Sequence, residues 1–124
     1  MTSSLPKEKI PLAVLRALEK ARIESTVVRW DIIAAHFSLL QTQILRKGFS
    51  DAINTVDLLR RDLEQFGKIN RKFDDLVRGV HPIFQTLYWL RACLIGKPIT
   101  PGATPESLFQ TLGVQLEEIR KRNA

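Results

Sequence analysis

Apolar residues between Thr26 and Arg46 recur at helical spacing, and they fall on two nearly opposite faces of the predicted helix. A helix at the edge of a globular domain needs only one apolar stripe. Two stripes therefore predict packing on both sides, by elements of the same chain or by a partner. The first face, in a 4-3-4 spacing, comprises Val28, Ile32, Ala35 and Leu39. The second face, in a 3-4-3-4 spacing, comprises Trp30, Ile33, Phe37, Leu40 and Ile44.

The spacing of the first face continues toward the N-terminus and predicts one long helix over residues 11–46. Pro11 suits the first turn of a helix, and Gly48 suits its C-terminal end. The β-branched residues 26–28 lower helix propensity, so a bend or break near residues 24–26 stays open. The full series is Val14, Leu18, Ala21, Ser25, Val28, Ile32, Ala35, Leu39 and Thr42.

A second helix is predicted from Ser50 toward Val80, because apolar residues follow a 3-4 spacing over this range. Gly67 is the expected kink site, since glycine weakens a helix interior. Asn70 interrupts the apolar spacing. It either fixes the register of the packed helices or is locally exposed. The connection between the two helices is short, so we expect an antiparallel αα-hairpin.

Two shorter helices are predicted in the rest of the chain. Pro82 opens one over residues 83–95, which is apolar nearly all round and is expected to be buried against the first helix. The proline-rich connector 97–104 precedes the last helix, which ends near Arg120. The predicted fold is an all-α single domain, residues 1–124, with a loose N-terminal tail over residues 1–10. It is a helical bundle built on a long antiparallel αα-hairpin, with two shorter helices packed against it.

The composition is ordinary for a globular chain, with 44% apolar and 26% charged residues. The single cysteine, Cys93, excludes an intrachain disulfide and fits a reducing compartment. No apolar run approaches the roughly 20 residues of a membrane span, and the N-terminus lacks a signal pattern. A cytoplasmic protein without a membrane partner is the expectation.

The sequence predicts no enzyme and no cofactor, metal or small-molecule substrate. Its two histidines, His36 and His81, lie on different predicted helices and have no metal-ligand spacing around them. A glycine-rich phosphate loop would need a preceding strand, and no strand pattern occurs. We therefore expect no catalytic residue.

Arg22, Arg29 and His36 lie on one line of the first helix, seven residues apart. An Arg and a His so placed, doubled across a helical dimer, could bind a phosphodiester and donate a proton. Arg29 and His36 thereby resemble the Arg–His motif of the small all-helical HEPN ribonucleases, which would imply RNA cleavage. The pattern departs at Trp30, where that family usually has a polar residue, and the pair lies early in the chain. We interpret both residues as bordering the packed faces and hydrogen-bonding locally.

The net charge of +6 suggests nucleic acid as an alternative partner. Residues 108–122 resemble the turn and recognition helix of a helix-turn-helix module through the triplet Leu112-Gly113-Val114 and the basic residues that follow it. Most cations of the second and last predicted helices follow an acid by four residues, which favours a solvated helix surface. The candidate nucleic-acid contacts are Arg22, Arg29, His36, Arg120, Lys121 and Arg122.

The function that the pattern favours is a non-enzymatic helical protein–protein interaction module, such as an adaptor, assembly subunit or regulator. Two helices of about 45–55 Å, at 1.5 Å per residue, are longer than a globule of this size requires. Their surplus apolar surface predicts a homodimer or another helical partner. The predicted partner interface is the second face: Trp30, Ile33, Phe37, Leu40 and Ile44. The alternative function is a nucleic-acid-binding regulator or a small basic subunit of a ribonucleoprotein.

Overall fold

A computed structural model describes residues 11–70 and 72–123, which form five helices and no strand. The all-α fold with a long hairpin is thereby confirmed. The predicted tail, residues 1–10, lies outside the described residues. The helices are α1 Leu12–Leu45, α2 Phe49–Ile69, α3 Asp74–Val77, α4 Pro82–Ile95 and α5 Pro105–Asn123.

α1 is one continuous helix, so no break occurs near residues 24–26. The hydroxyl of Thr26 donates a hydrogen bond to the carbonyl of Arg22 at 2.9 Å, which satisfies this buried polar group within the helix. Lys47 adopts a left-handed φ of 59° in the turn after α1, and α2 then returns antiparallel along α1. The predicted αα-hairpin is confirmed.

The core lies between α1, α2 and the three helices that follow. Phe66 of α2 is fully buried, and its ring centroid lies 5.3 Å from that of Trp30 and 5.2 Å from that of Phe73. This aromatic group ties α1, α2 and the segment after α2 together, since large aromatic side chains dominate the free energy of core burial.

α2 ends at Ile69, which corrects the longer helix predicted toward Val80. The chain folds back after Asn70 and places the short helix α3 against α2. Gly67 allows this approach, because a Cβ there would come within 2.9 Å of the Cβ of Leu76. Asn70 is buried, donates to the side chain of Asn123, and accepts from the backbone N–H of Lys72 at 3.2 Å. It therefore terminates α2 and fixes the end of α5.

α4 has the predicted bounds but a different neighbour. It packs against α2 and α5 and not against α1, so its predicted role as the cover of α1 is wrong. α4 is also not buried all round, since Tyr88 and Ile95 are exposed. α5 takes the place next to α1 that the sequence pattern had assigned to α4. The ring of Phe109 in α5 stacks on that of Phe37 in α1, with centroids 4.3 Å apart.

His81 caps α4, and we expect this contact to make stability depend on pH. Its Nδ1 accepts a hydrogen bond from the backbone N–H of Ile83 at 3.0 Å, which only an unprotonated nitrogen can do. Burial lowers the pKa of His81, against the attraction of Asp75. The unfolded chain then takes up a proton near pH 6.5 before the folded chain does, so stability falls as pH drops below about 6.5.

The measurement is thermal unfolding at pH 7.5 and pH 5.5, followed by circular dichroism. The matched control is His81→Asn, because asparagine caps helices but does not titrate. Acidification should destabilise the wild type more than this variant. His81→Ala should lose about 1 kcal/mol at pH 7.5, the usual cost of a lost cap. Equal pH dependence in the wild type and His81→Asn would contradict the role of His81.

Candidate interaction surface

The second face of α1 lies inside the domain, which corrects its assignment as a partner interface. Ile33 and Leu40 have no exposed surface, and Ile44 is also buried. Trp30 and Phe37 are half-buried and pack against the core. Side chains that α2 and α5 already cover are not accessible to a second protein, so a partner surface must lie elsewhere.

The first face of α1 is the one that residues 11–70 and 72–123 leave uncovered. Val28 is 57% exposed, and Leu39 and Ala35 are also exposed, whereas Ile32 is partly covered. We call the series that contains them the outer seam. It comprises Val14, Leu18, Ala21, Ser25, Val28, Ile32, Ala35, Leu39 and Thr42.

The N-terminal part of α1 extends past the end of α2. Ile69, the last residue of α2, lines the same shallow cleft as Ser25 and Val28. Every residue of α1 from Leu12 to Ser25 is exposed, including Leu18 at 62%. The outer seam therefore begins on a projecting helix and continues along the body of the domain.

Asp62 of α2 hydrogen-bonds to Arg29 and His36, the two candidate residues that flank the outer seam. Asp62 is buried and accepts from Arg29, Nη1 to Oδ1 at 3.4 Å, and its Oδ2 lies 2.5 Å from Nδ1 of His36. Both candidates lie beside the packed faces as expected, but their hydrogen bonds reach a residue of another helix, 33 and 26 positions away, and are not local. Asp62 was not among the candidate residues predicted from the sequence. Its position three residues after Leu59 indicates an inward direction, but its partners on α1 could not be read from the sequence.

The C-terminal segment is a single helix and contains no helix-turn-helix. α5 runs without interruption through Leu112, Gly113 and Val114, where the sequence resemblance required a turn. Gly113 lies against α1, because a Cβ at this position would come 3.1 Å from Cζ of Phe37. Glycine here allows close packing of two helices. The helix-turn-helix interpretation is therefore wrong.

The basic candidates at the end of α5 are largely occupied by ion pairs. Arg120 forms a bidentate pair with Glu117, and this hydrogen bond lowers the pKa of Glu117 and raises the pKa of Arg120. Arg122 lies 3.3 Å from Asp75 and covers the ring of Phe73 at 4.6 Å from its centroid. Lys121 is exposed.

The six candidate nucleic-acid contacts do not converge on one surface. Arg22 pairs with Glu19 on α1 and lines a small cleft together with Asn123, near the end of α5. Arg29 and His36 lie further along α1, where Asp62 holds them. Arg22 therefore lies near the end of α5, whereas Arg29 and His36 lie at a separate position beside Asp62.

Neither a metal centre nor a membrane span is present in the described part of the chain. No group of three His, Cys, Asp or Glu residues there is arranged to hold a metal ion. No helix within residues 11–70 and 72–123 combines the length and apolar character needed to cross a bilayer. Comparison of the chain with models of protein families, with curated proteins and with solved structures finds no match.

Proposed function

We propose that this protein is a non-enzymatic helical protein–protein interaction module, and that the outer seam of α1 is its binding surface. One observation carries the proposal: α1 presents a largely apolar series to solvent on the side away from its core, in which Leu18, Val28 and Leu39 are exposed. Exposed contiguous apolar surface of this kind is typical of interaction sites in soluble proteins. An adaptor, an assembly subunit or a regulator would use such a surface.

The spacing of the outer seam favours a helix as the bound element. Its residues alternate by four and three positions, so two positions per seven lie on the seam. That narrow stripe is typical of a two-helix coiled-coil contact, whereas a face that packs into a globular core is wider. The projecting start of α1 adds length to the contact without requiring any other helix to move.

A photo-cross-linking experiment tests this proposal with a matched pair of positions. Val27 and Val28 are neighbours on α1 with 54% and 57% exposure, but only Val28 belongs to the outer seam. A photoreactive amino acid replaces each in turn, and the protein is irradiated in the cells that express it. Position 28 should give discrete protein adducts and position 27 should not. Equal or absent cross-linking at the two positions would refute the proposed binding surface.

For the alternative partner, we expect no sub-micromolar binding of DNA or RNA at about 150 mM salt. The reason is that Arg22, Arg120 and Arg122 already pair with carboxylates of the same chain, and that the six candidate contacts do not converge on one surface. Weak binding at low salt is expected of any protein with a net charge of +6, and it should weaken steeply as salt rises. Fluorescence anisotropy with labelled oligonucleotides is the measurement. Sub-micromolar binding at this salt concentration would make nucleic acid the preferred partner.

A further inference from the structure

We propose that the partner of the outer seam is a second copy of this chain, bound in parallel as a two-stranded coiled coil. This inference rests on the proposed function and specifies its partner. It is carried by two observations: every residue of the seam except the partly covered Ile32 is exposed, and the charged residues beside the seam have opposite signs on its two sides.

The outer seam follows a heptad repeat, in which the alternate positions a and d face the partner helix. Leu18, Ser25, Ile32 and Leu39 occupy position a. Val14, Ala21, Val28, Ala35 and Thr42 occupy position d. The small residues at d allow two α1 helices to approach closely, and the larger residues at a fill the space between them. Four heptads span about 42 Å at 1.5 Å per residue, which is long enough for a two-stranded contact.

The flanking charges select the parallel orientation. Position g, on one side of the seam, carries Glu24 and Asp31, while position e, on the other side, carries Arg22, Arg29 and His36. In a parallel pair, g of one helix faces e of the next heptad on the other helix. Glu24 then faces Arg29 of the second copy, and Asp31 faces His36. An antiparallel pair would place acids opposite acids and bases opposite bases, which is unfavourable.

The side chains that this pairing requires are accessible in the single chain. Glu24 and Asp31 are exposed, and neither forms an ion pair within residues 11–70 and 72–123. Arg29 is partly exposed and uses Nη1 for Asp62, and a guanidinium has five N–H donors. His36 is also partly exposed and uses Nδ1 for Asp62. Arg29 therefore keeps N–H donors for a second carboxylate while it pairs with Asp62, and the imidazole of His36 is partly exposed beside it.

Two neighbouring alanines provide the test of the contact. Ala34 and Ala35 are both exposed on α1, but only Ala35 lies on the outer seam. Sedimentation of the wild type should give a species of twice the 14.2 kDa chain mass. Ala35→Glu should raise the dimer dissociation constant roughly 100-fold, because it buries an unpaired charge from each chain. Ala34→Glu should leave the constant unchanged, and circular dichroism should show both variants helical. A dimer that survives Ala35→Glu would overturn the proposal.

Disulfide cross-linking tests the orientation and does not rely on a glutamate variant that folds. In a Cys93→Ser background, Val14→Cys and Thr42→Cys each place one cysteine at a d position near one end of the seam. In a parallel dimer each variant should cross-link to itself under mild oxidation. Cross-linking only when the two variants are mixed would show an antiparallel pair and overturn the proposed orientation.

Failure of the inference can be told apart from failure of the proposed function. A wild type that stays monomeric at the highest concentration and forms no cysteine cross-links overturns the second copy as partner. If position 28 still gives adducts with a different protein, the interaction function stands without self-association. If position 28 gives no adduct either, the function and the inference both fail.

Discussion

Ile33→Glu should unfold the chain, whereas Ile32→Glu should leave it folded. These adjacent isoleucines on α1 point in different directions, because Ile33 is 0% exposed and Ile32 lies on the outer seam. A glutamate at position 33 loses apolar burial and places an unpaired carboxylate in the core. We expect a cost on the order of 5 kcal/mol or more, comparable to the whole stability of a small domain. Far-ultraviolet circular dichroism and urea unfolding are the measurements.

The Ile32→Glu variant is the control for the chemistry of the substitution. Its helicity should match that of the wild type, and its free energy of unfolding, measured on the monomer, should fall by no more than about 1 kcal/mol, as for substitutions outside the core. If both variants unfolded, the first face would also be part of the core of a single chain. If both folded, the assignment of Ile33 to the core would be wrong.

Gly67→Ala should destabilise the protein by about 1–3 kcal/mol, the usual cost of overpacking. Helix propensity alone predicts the opposite sign, since alanine is favoured over glycine by about 1 kcal/mol within a helix. The structure reverses this preference because the new Cβ would lie 2.9 Å from Cβ of Leu76 and 3.0 Å from the backbone nitrogen of Val77. A backbone atom cannot move aside as the end of a flexible side chain can. α3 would therefore have to shift away from α2.

Asn54→Ala is a suitable control for this prediction. Asn54 lies on the exposed side of the same helix, where alanine improves propensity and meets no neighbour. Urea unfolding should show opposite signs for the two variants, with Asn54→Ala stabilising by a few tenths of a kcal/mol. A stabilised Gly67→Ala would mean that α3 does not pack closely against α2.

Local rules account for most of the helices. Pro82 and Gly96 mark the ends of α4, and the proline-rich connector separates α4 from α5, because proline and glycine act through the backbone of their own residue. The prediction of a second helix toward Val80 failed because the end of α2 depends on contacts between different helices, which local rules do not describe. An apolar spacing that continues past Asn70 is compatible with one helix or with two segments packed on each other. Only contacts between Gly67 and Leu76 distinguish these arrangements, and they join residues of different helices.

The sequence by itself determined that α1 carries two apolar faces and that one of them exceeds what a short chain can cover, since helical periodicity is a property of successive residues. It could not determine which face is covered. That choice depends on where α2 and α5 lie, and burial of Ile33 and Leu40 leaves Val28 and Leu39 in solvent. The hydrogen bonds of Arg29 and His36 to Asp62 were likewise decided by the tertiary structure, because they join residues separated by 33 and 26 positions. The helical periodicity of the sequence determines the direction in which a side chain leaves its helix. The tertiary packing of the helices determines which residues that side chain contacts.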